Sequence, residues 1–215
     1  MQPSAQPLAL AVWPESIGRL PAAIFLAIVG SMILALSARV QVPFYPVPMT
    51  LQTFAVMAIS AAYGARLAVA TVVLYLAEGF VGLPVFANTA FGTVGPTYFL
   101  GTTGGFLIGF IPLALIVGYA ADLGWDRSVP KLFAAMVWGD IVVFAMGFAW
   151  LAWGATLSPG LLTRLGLPAG TAGAGVDFAW AQGVVPFVLA DLLKIFLAAL
   201  VIPTSWSLVE RRPTL

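Results

Sequence analysis

The sequence predicts an all-α membrane protein, a single domain over 1–215 built as a bundle of six transmembrane helices with both termini cytoplasmic. Four observations predict it. Of 215 residues, 61% are hydrophobic and only 8% are charged, where soluble domains carry about 25% charged residues. Mean hydropathy is +1.05. Apolar runs recur at lengths near the roughly 20 residues that a spanning helix needs, because hydrocarbon offers backbone polar groups no partner. Lys and Arg segregate between alternate connections.

The first helix is expected over about 20–38, uncharged until Arg39. Ala35-Leu36-Ser37-Ala38 ends in small residues, as a cleavage site would. The run is longer than a usual signal-peptide core, and Glu15 lies close to Arg19, so a retained span is expected. The second helix is expected over about 51–63 and the third over about 67–77, separated at Gly64-Ala65-Arg66. Both are short for a full span, so tilt or burial among neighbours has to compensate. The fourth helix is expected over about 104–121, the fifth over about 132–153 and the sixth over about 183–208.

A cytoplasmic N-terminus places Arg19, Arg66, Arg127, Lys131, Arg211 and Arg212 inside, and only Arg39 and Arg164 outside. That asymmetry supports both termini inside and an even number of spans. The two longest connections, about 78–103 and about 154–182, then lie outside. Both are rich in Gly, Pro and Thr. Such loops are where a binding lid is built, although ordinary surface loops have the same composition.

Composition also excludes functions. The chain has no Cys, hence no disulfide framework and no thiolate chemistry, and no His, which removes the commonest general base and Ser-His or Cys-His catalysis. The formal net charge of +1 gives no basic footprint for nucleic acid. No Lys has the neighbours of a phosphate-binding P-loop, so ATP, if it drives this chain, binds another subunit.

Few polar residues lie within the apolar runs, and these carry most of the information. Asp191 and Lys194, three apart on the sixth helix, share one face. They sit about 12 and 16 Å along it, in or near the outer half of the membrane core. Each charge costs about 2.5–3.5 kcal/mol at mid-helix. A self-neutralising pair that braces the bundle is one reading. A ligand site with an acceptor and a cationic donor is the other. Asp140 lies about 13 Å into the fifth helix. A structural role suits it best, with pairing to Lys194 as an alternative.

The first loop holds Pro43, Pro46 and Pro48, which favour a stiff, extended, polyproline-like run. Thr50 is expected to cap the second helix, with Gln52 in its first turn at the outer face. The third loop offers Asn88 as both donor and acceptor, and Phe86 and Phe91 as an apolar wall. Thr102 and Thr103 enter the fourth helix on the same side. Tyr98 fits either an interfacial belt or a ligand contact. Ala23, Ala27, Ser31 and Ala35 form a small-residue ladder on the first helix, and Gly101, Gly105 and Gly109 another at the start of the fourth. Such ladders let helices approach closely, within the bundle or, for the first helix, against another membrane subunit.

Five segments together resemble the BioY family. They are Pro46-Val-Pro-Met-Thr-Leu-Gln-Thr-Phe54, Gly82-Leu-Pro-Val-Phe-Ala-Asn88, Gly101-Thr-Thr-Gly-Gly-Phe106, Gly147-Phe-Ala-Trp-Leu151 and Asp191-Leu-Leu-Lys194. The resemblance spans the first to the sixth helix. It implies the biotin-binding S component of an energy-coupling factor (ECF) transporter, with an outward biotin pocket and the first loop as lid. It implies that Asn88, Asp191 and Lys194 contact biotin, and that the Ala23-to-Ala35 ladder meets a transmembrane coupling subunit served by ATPase subunits. Some members carry an Arg near the start of the fourth helix for the carboxylate. Thr102 and Thr103 stand there instead, which leaves Lys194 as the main candidate.

Biotin's chemistry suits these residues. Asp191 can accept its ureido N–H bonds, and Asn88 matches the ureido donor–acceptor edge. Lys194 offsets the carboxylate, and Phe86, Phe91 and Trp150 can pack the apolar parts. Gln52, Thr102 and Thr103 complete the expected site. The expected protein is thus a transporter subunit of the prokaryotic inner (plasma) membrane, surrounded by lipid and without a cofactor. The alternatives are another small vitamin, a stand-alone biotin transporter, or an intramembrane enzyme using Asp191 or Asp140.

Overall fold

The computed structural model describes residues 8–11, 18–44, 47–87, 94–157 and 174–210. In chain order these form α1 (Leu8–Ala11), α2 (Arg19–Arg39), β1 (Gln41–Val42), β2 (Met49–Thr50), α3 (Gln52–Phe80), α4 (Pro96–Phe99), α5 (Gly104–Asp122), α6 (Val129–Leu157), α7 (Ala174–Gly183) and α8 (Val185–Glu210). A 3₁₀ turn, Trp125–Arg127, joins α5 to α6. Among the described residues, five helical segments are long and apolar enough to cross a membrane. They are α2, α3, α5, most of α6, and the run 175–206 through α7 and α8.

α3 is one helical segment with a break at Gly64, where φ is 73° and ψ is 170°. The break falls where the sequence predicts it. The second arm, however, continues to Phe80 rather than stopping near residue 77. The arms fold back on each other. Gln52 Nε2 donates to the Tyr75 hydroxyl at 2.6 Å, whereas 23 residues of straight helix span about 34 Å. The turn is secured from α5. Asp122 Oδ2 accepts the Ala65 N–H at 3.1 Å, capping the start of the second arm. A Cβ at Gly118 would come within 2.6 Å of the Ala65 backbone, so only glycine allows this approach.

The other boundaries differ modestly. α6 starts three residues earlier than expected and runs to Leu157. The sixth helix is interrupted at Val184, just before Pro186, which cannot donate a backbone hydrogen bond. Part of the second outer connection, expected as loop to residue 182, is the helix α7. The first loop is not a free polyproline run. Its two ends pair as an antiparallel ribbon, Gln41 opposite Thr50 and Val42 opposite Met49.

Of the glycine ladder, Gly105 packs against the Trp150 Cβ and the Met146 carbonyl, and Gly109 against Val143. This close contact is therefore internal, between α5 and α6. Gly101 lies in the turn before α5. On α2, the ladder is a flank rather than an open face. Ala23, Ala27 and Ala35 are half-buried. Ser31 is buried and its hydroxyl donates to Glu78 on α3, which corrects its placement on a docking face. The open face of α2 is bulky: Ile24, Ile28, Met32 and Leu36.

The 3₁₀ turn ties the α5–α6 connection to the far end of α8. Asp126 accepts the Trp206 indole N–H, and the Arg127 guanidinium lies 4.5 Å from the centre of that ring. Burial pushes the Asp126 carboxyl up, against the opposing pull of Trp206 and Arg127. A carboxyl raised in the folded state contributes most below its unfolded value, and that contribution is lost as pH rises through the folded one. Asp126→Asn keeps an acceptor for the indole without a buried charge. We expect the detergent-solubilised wild type to lose thermal stability relative to this variant as pH rises above the ordinary carboxylate range. Parallel melting curves for the two proteins would contradict this.

Candidate ligand-binding site

The polar centre is built on α8. Lys194 Nζ donates to Asp191 Oδ1 at 2.6 Å, to the Thr50 carbonyl at 2.7 Å and to Thr53 Oγ1 at 3.1 Å. Thr53 in turn donates to Asp191 Oδ1 at 3.1 Å. An ammonium has three N–H donors, so every one is used. Asp191 is only 4% exposed. Desolvation makes such a buried pair tolerable only with this degree of satisfaction.

Thr50 joins this centre to a second line of hydrogen bonds. Its hydroxyl donates to Gln52 Oε1 at 3.2 Å and accepts the Gln52 backbone N–H at 3.3 Å. Thr50 thus does what a cap does, although Leu51 occupies the cap position. From Gln52 the line runs to Tyr75, whose hydroxyl donates to the Val85 carbonyl at 3.2 Å. Close by, Arg39 donates to the Pro84 carbonyl, and Tyr98 donates to the Ala87 carbonyl at 2.8 Å. Burial pushes the Tyr98 phenol up, so it stays a donor at neutral pH.

Thr50, Gln52, Thr53, Tyr98, Asp191 and Lys194 open onto a cavity with about 560 Å³ of empty space, open solvent at its mouth included. Val47, Pro48 and Thr50 line it from the first loop, Gln52 and Thr53 from α3, and Ala87, Tyr98 and Thr103 from the third loop. Apolar walls come from Phe106, Leu107 and Phe110 on α5, Val143 and Phe144 on α6, and Phe187 on α8, which also supplies Asp191 and Lys194. A few fixed polar groups in an apolar chamber suit a small amphipathic ligand.

Of the expected site residues, Gln52, Thr103, Asp191 and Lys194 line this cavity; Thr102 does not. Phe86 is 1% exposed and sits behind the lining, stacked on Tyr98 at 4.8 Å and edge-on to Tyr75 at 5.2 Å. Trp150 also stands outside it. Its indole N–H donates to the Gly101 carbonyl at 2.8 Å and braces the entry to α5. Asn88 and Phe91 lie outside the described residues; Ala87, just before them, lines the cavity. Thr53 and the phenylalanines of α5, α6 and α8 were not anticipated. Asp140 makes no ion pair with Lys194 among the described residues, whose pair is with Asp191.

The model of the BioY family matches residues 14–211. The chain belongs to the BioY family. Its BioY relatives include "Biotin transporter BioY2" of Lactococcus lactis, 28% identical, with 80% of this chain and 82% of the relative covered. "Biotin transporter BioY" of Rhodobacter capsulatus is 32% identical, with 86% and 91% covered. A similar fold occurs in a 2.1 Å crystal structure of "the S-component for biotin from an ECF-type ABC transporter". That likeness has a TM-score of 0.69 at 19% identity, over 91% of this chain and 95% of the other. This BioY chain is a multi-pass membrane protein.

Proposed function

We propose that this chain captures biotin at the outer face of the plasma membrane and delivers it inward as the substrate-specific subunit of an ECF-type transporter. In this reading the two arms of α3 count as separate spans, giving six, with both termini cytoplasmic. A transmembrane coupling subunit and ATPase subunits supply the energy, since the chain has no P-loop. Capture itself calls for no cofactor.

The observation that carries the reading is the Asp191–Lys194–Thr53 cluster facing an apolar cavity. Asp191 presents a carboxylate to the ureido N–H groups, and Lys194 supplies a cation for a carbonyl or carboxylate oxygen. Phe106, Phe110, Phe144 and Phe187 offer surface to the thioether ring and the valerate chain. Asn88, Phe91 and Trp150 are further biotin contacts in this reading.

The test is equilibrium binding of biotin to the purified chain in detergent, challenged with a panel of other vitamins. Saturable biotin binding that thiamine and riboflavin do not displace is the expected result. Displacement by a different vitamin would reassign the substrate.

A further inference from the structure

Asp140 on α6 has no role in the cluster just described, yet its surroundings are unusual. The residue is 6% exposed, and its Oδ1 has no hydrogen-bond partner. It lies one helical turn from Val143 and Phe144, which both line the cavity. The charges that act on it are those of Asp191 and Lys194. The other charged side chains on the elements packed against α6 have other stations. Asp122 caps the second arm of α3, Asp126 and Arg127 hold Trp206, Arg66 lies just past the break in α3, and Glu78 and Asp177 lie toward the ends of their helices. Lys194 cannot serve Asp140 without giving up an acceptor, since its three N–H groups are already used.

An anionic ligand entering the cavity sharpens this imbalance. With Asp140 ionised, Lys194 would be set against three carboxylates, those of Asp140, Asp191 and the ligand. A proton on Asp140 removes one of those charges and turns an unsatisfied acceptor into a donor. Buried carboxylates within membrane spans serve as proton sites in this way.

We propose that Asp140 is a proton-binding site coupled to ligand capture, taking up a proton from solvent when a carboxylate ligand occupies the cavity. The inference rests on the reading that biotin, with its carboxylate, is the ligand. No bond other than the O–H on Asp140 forms, and the proton comes from water at the mouth.

The experiment is calorimetric titration of the full-length chain in detergent with biotin, in buffers of differing ionisation enthalpy. At mildly alkaline pH the wild type should take up as much as about one proton per biotin, and over that range its affinity should fall by up to about tenfold per unit rise in pH. The neutral methyl ester of biotin should bind without that uptake. Asp140→Asn should bind biotin with an affinity independent of pH and without proton uptake, and Asp140→Glu should restore both. Biotin binding without uptake in the wild type, or undiminished uptake in Asp140→Asn, would overturn the proposal while leaving the ligand assignment intact. Should Asp140→Asn fail to fold, the contrast between biotin and its ester, with Asp140→Glu, still decides. Absence of biotin binding by the wild type would remove the ligand assignment, and the proposal with it.

Discussion

Lys194→Ala and Asp191→Ala should each lose biotin binding by at least about 10²–10³-fold, with equilibrium binding in detergent as the measurement. Each variant leaves the other partner charged and buried. Breaking a buried pair in that way costs about 3–5 kcal/mol, and the same groups are withdrawn from the ligand. Loss of binding alone would not separate a ligand site from a brace that holds the bundle together. The double variant Asp191→Leu, Lys194→Leu does so. Replacing both members of a buried pair by apolar residues of similar volume is often neutral or stabilising. It should therefore melt near the wild-type temperature and still fail to bind biotin. Recovery of binding in the double variant would show that the pair is structural only, and would end its assignment to the ligand.

The second large effect concerns the turn inside α3. Gly118→Leu should lower the thermal midpoint by several degrees and weaken biotin binding with it. The added Cβ would lie within 2.6 Å of Ala65 backbone atoms, which have no rotamer with which to retreat. Overpacking of this kind costs about 1–3 kcal/mol, occasionally more. Displacing Ala65 also disturbs its bond to Asp122 and, through the second arm, the contact of Tyr75 with Gln52. Gly64→Ala should act on the same turn by another route, backbone strain at φ 73° and ψ 170°, a region essentially open only to glycine. An unchanged midpoint in Gly118→Leu would mean that α5 and α3 are not in close contact at this point.

The parts of this architecture that were legible in the sequence are those where the bilayer punishes exceptions. Long apolar runs located the helices, and Gly64-Ala65-Arg66 located the reversal in α3, because a glycine and a cation rarely continue an apolar span. Asp191 and Lys194 stood out because charges are costly at that depth. The cavity walls were hidden for the converse reason. A helix surrounded by lipid and protein is apolar on all sides, so Phe106, Phe110, Phe144 and Phe187 follow no periodicity that separates cavity from lipid. Trp150 and Phe86 were credible ligand contacts by type. Their places depend on tertiary partners, the Gly101 carbonyl for one and the ring of Tyr98 for the other, that no local pattern encodes. Thr53 carries no local signal beside Gln52, although a hydroxyl in the first turn of a helix can bridge an ion pair on a neighbour.

Thr50 belongs at once to the ribbon of the first loop and to the partner set of Lys194. Lifting the ribbon away would strip the ammonium of one acceptor in a nearly dry site, where an unmet donor is expensive. A ligand that displaced the ribbon would therefore have to offer Lys194 an acceptor in place of that carbonyl. The residence time of a ligand should follow how well it replaces the carbonyl that Lys194 gives up.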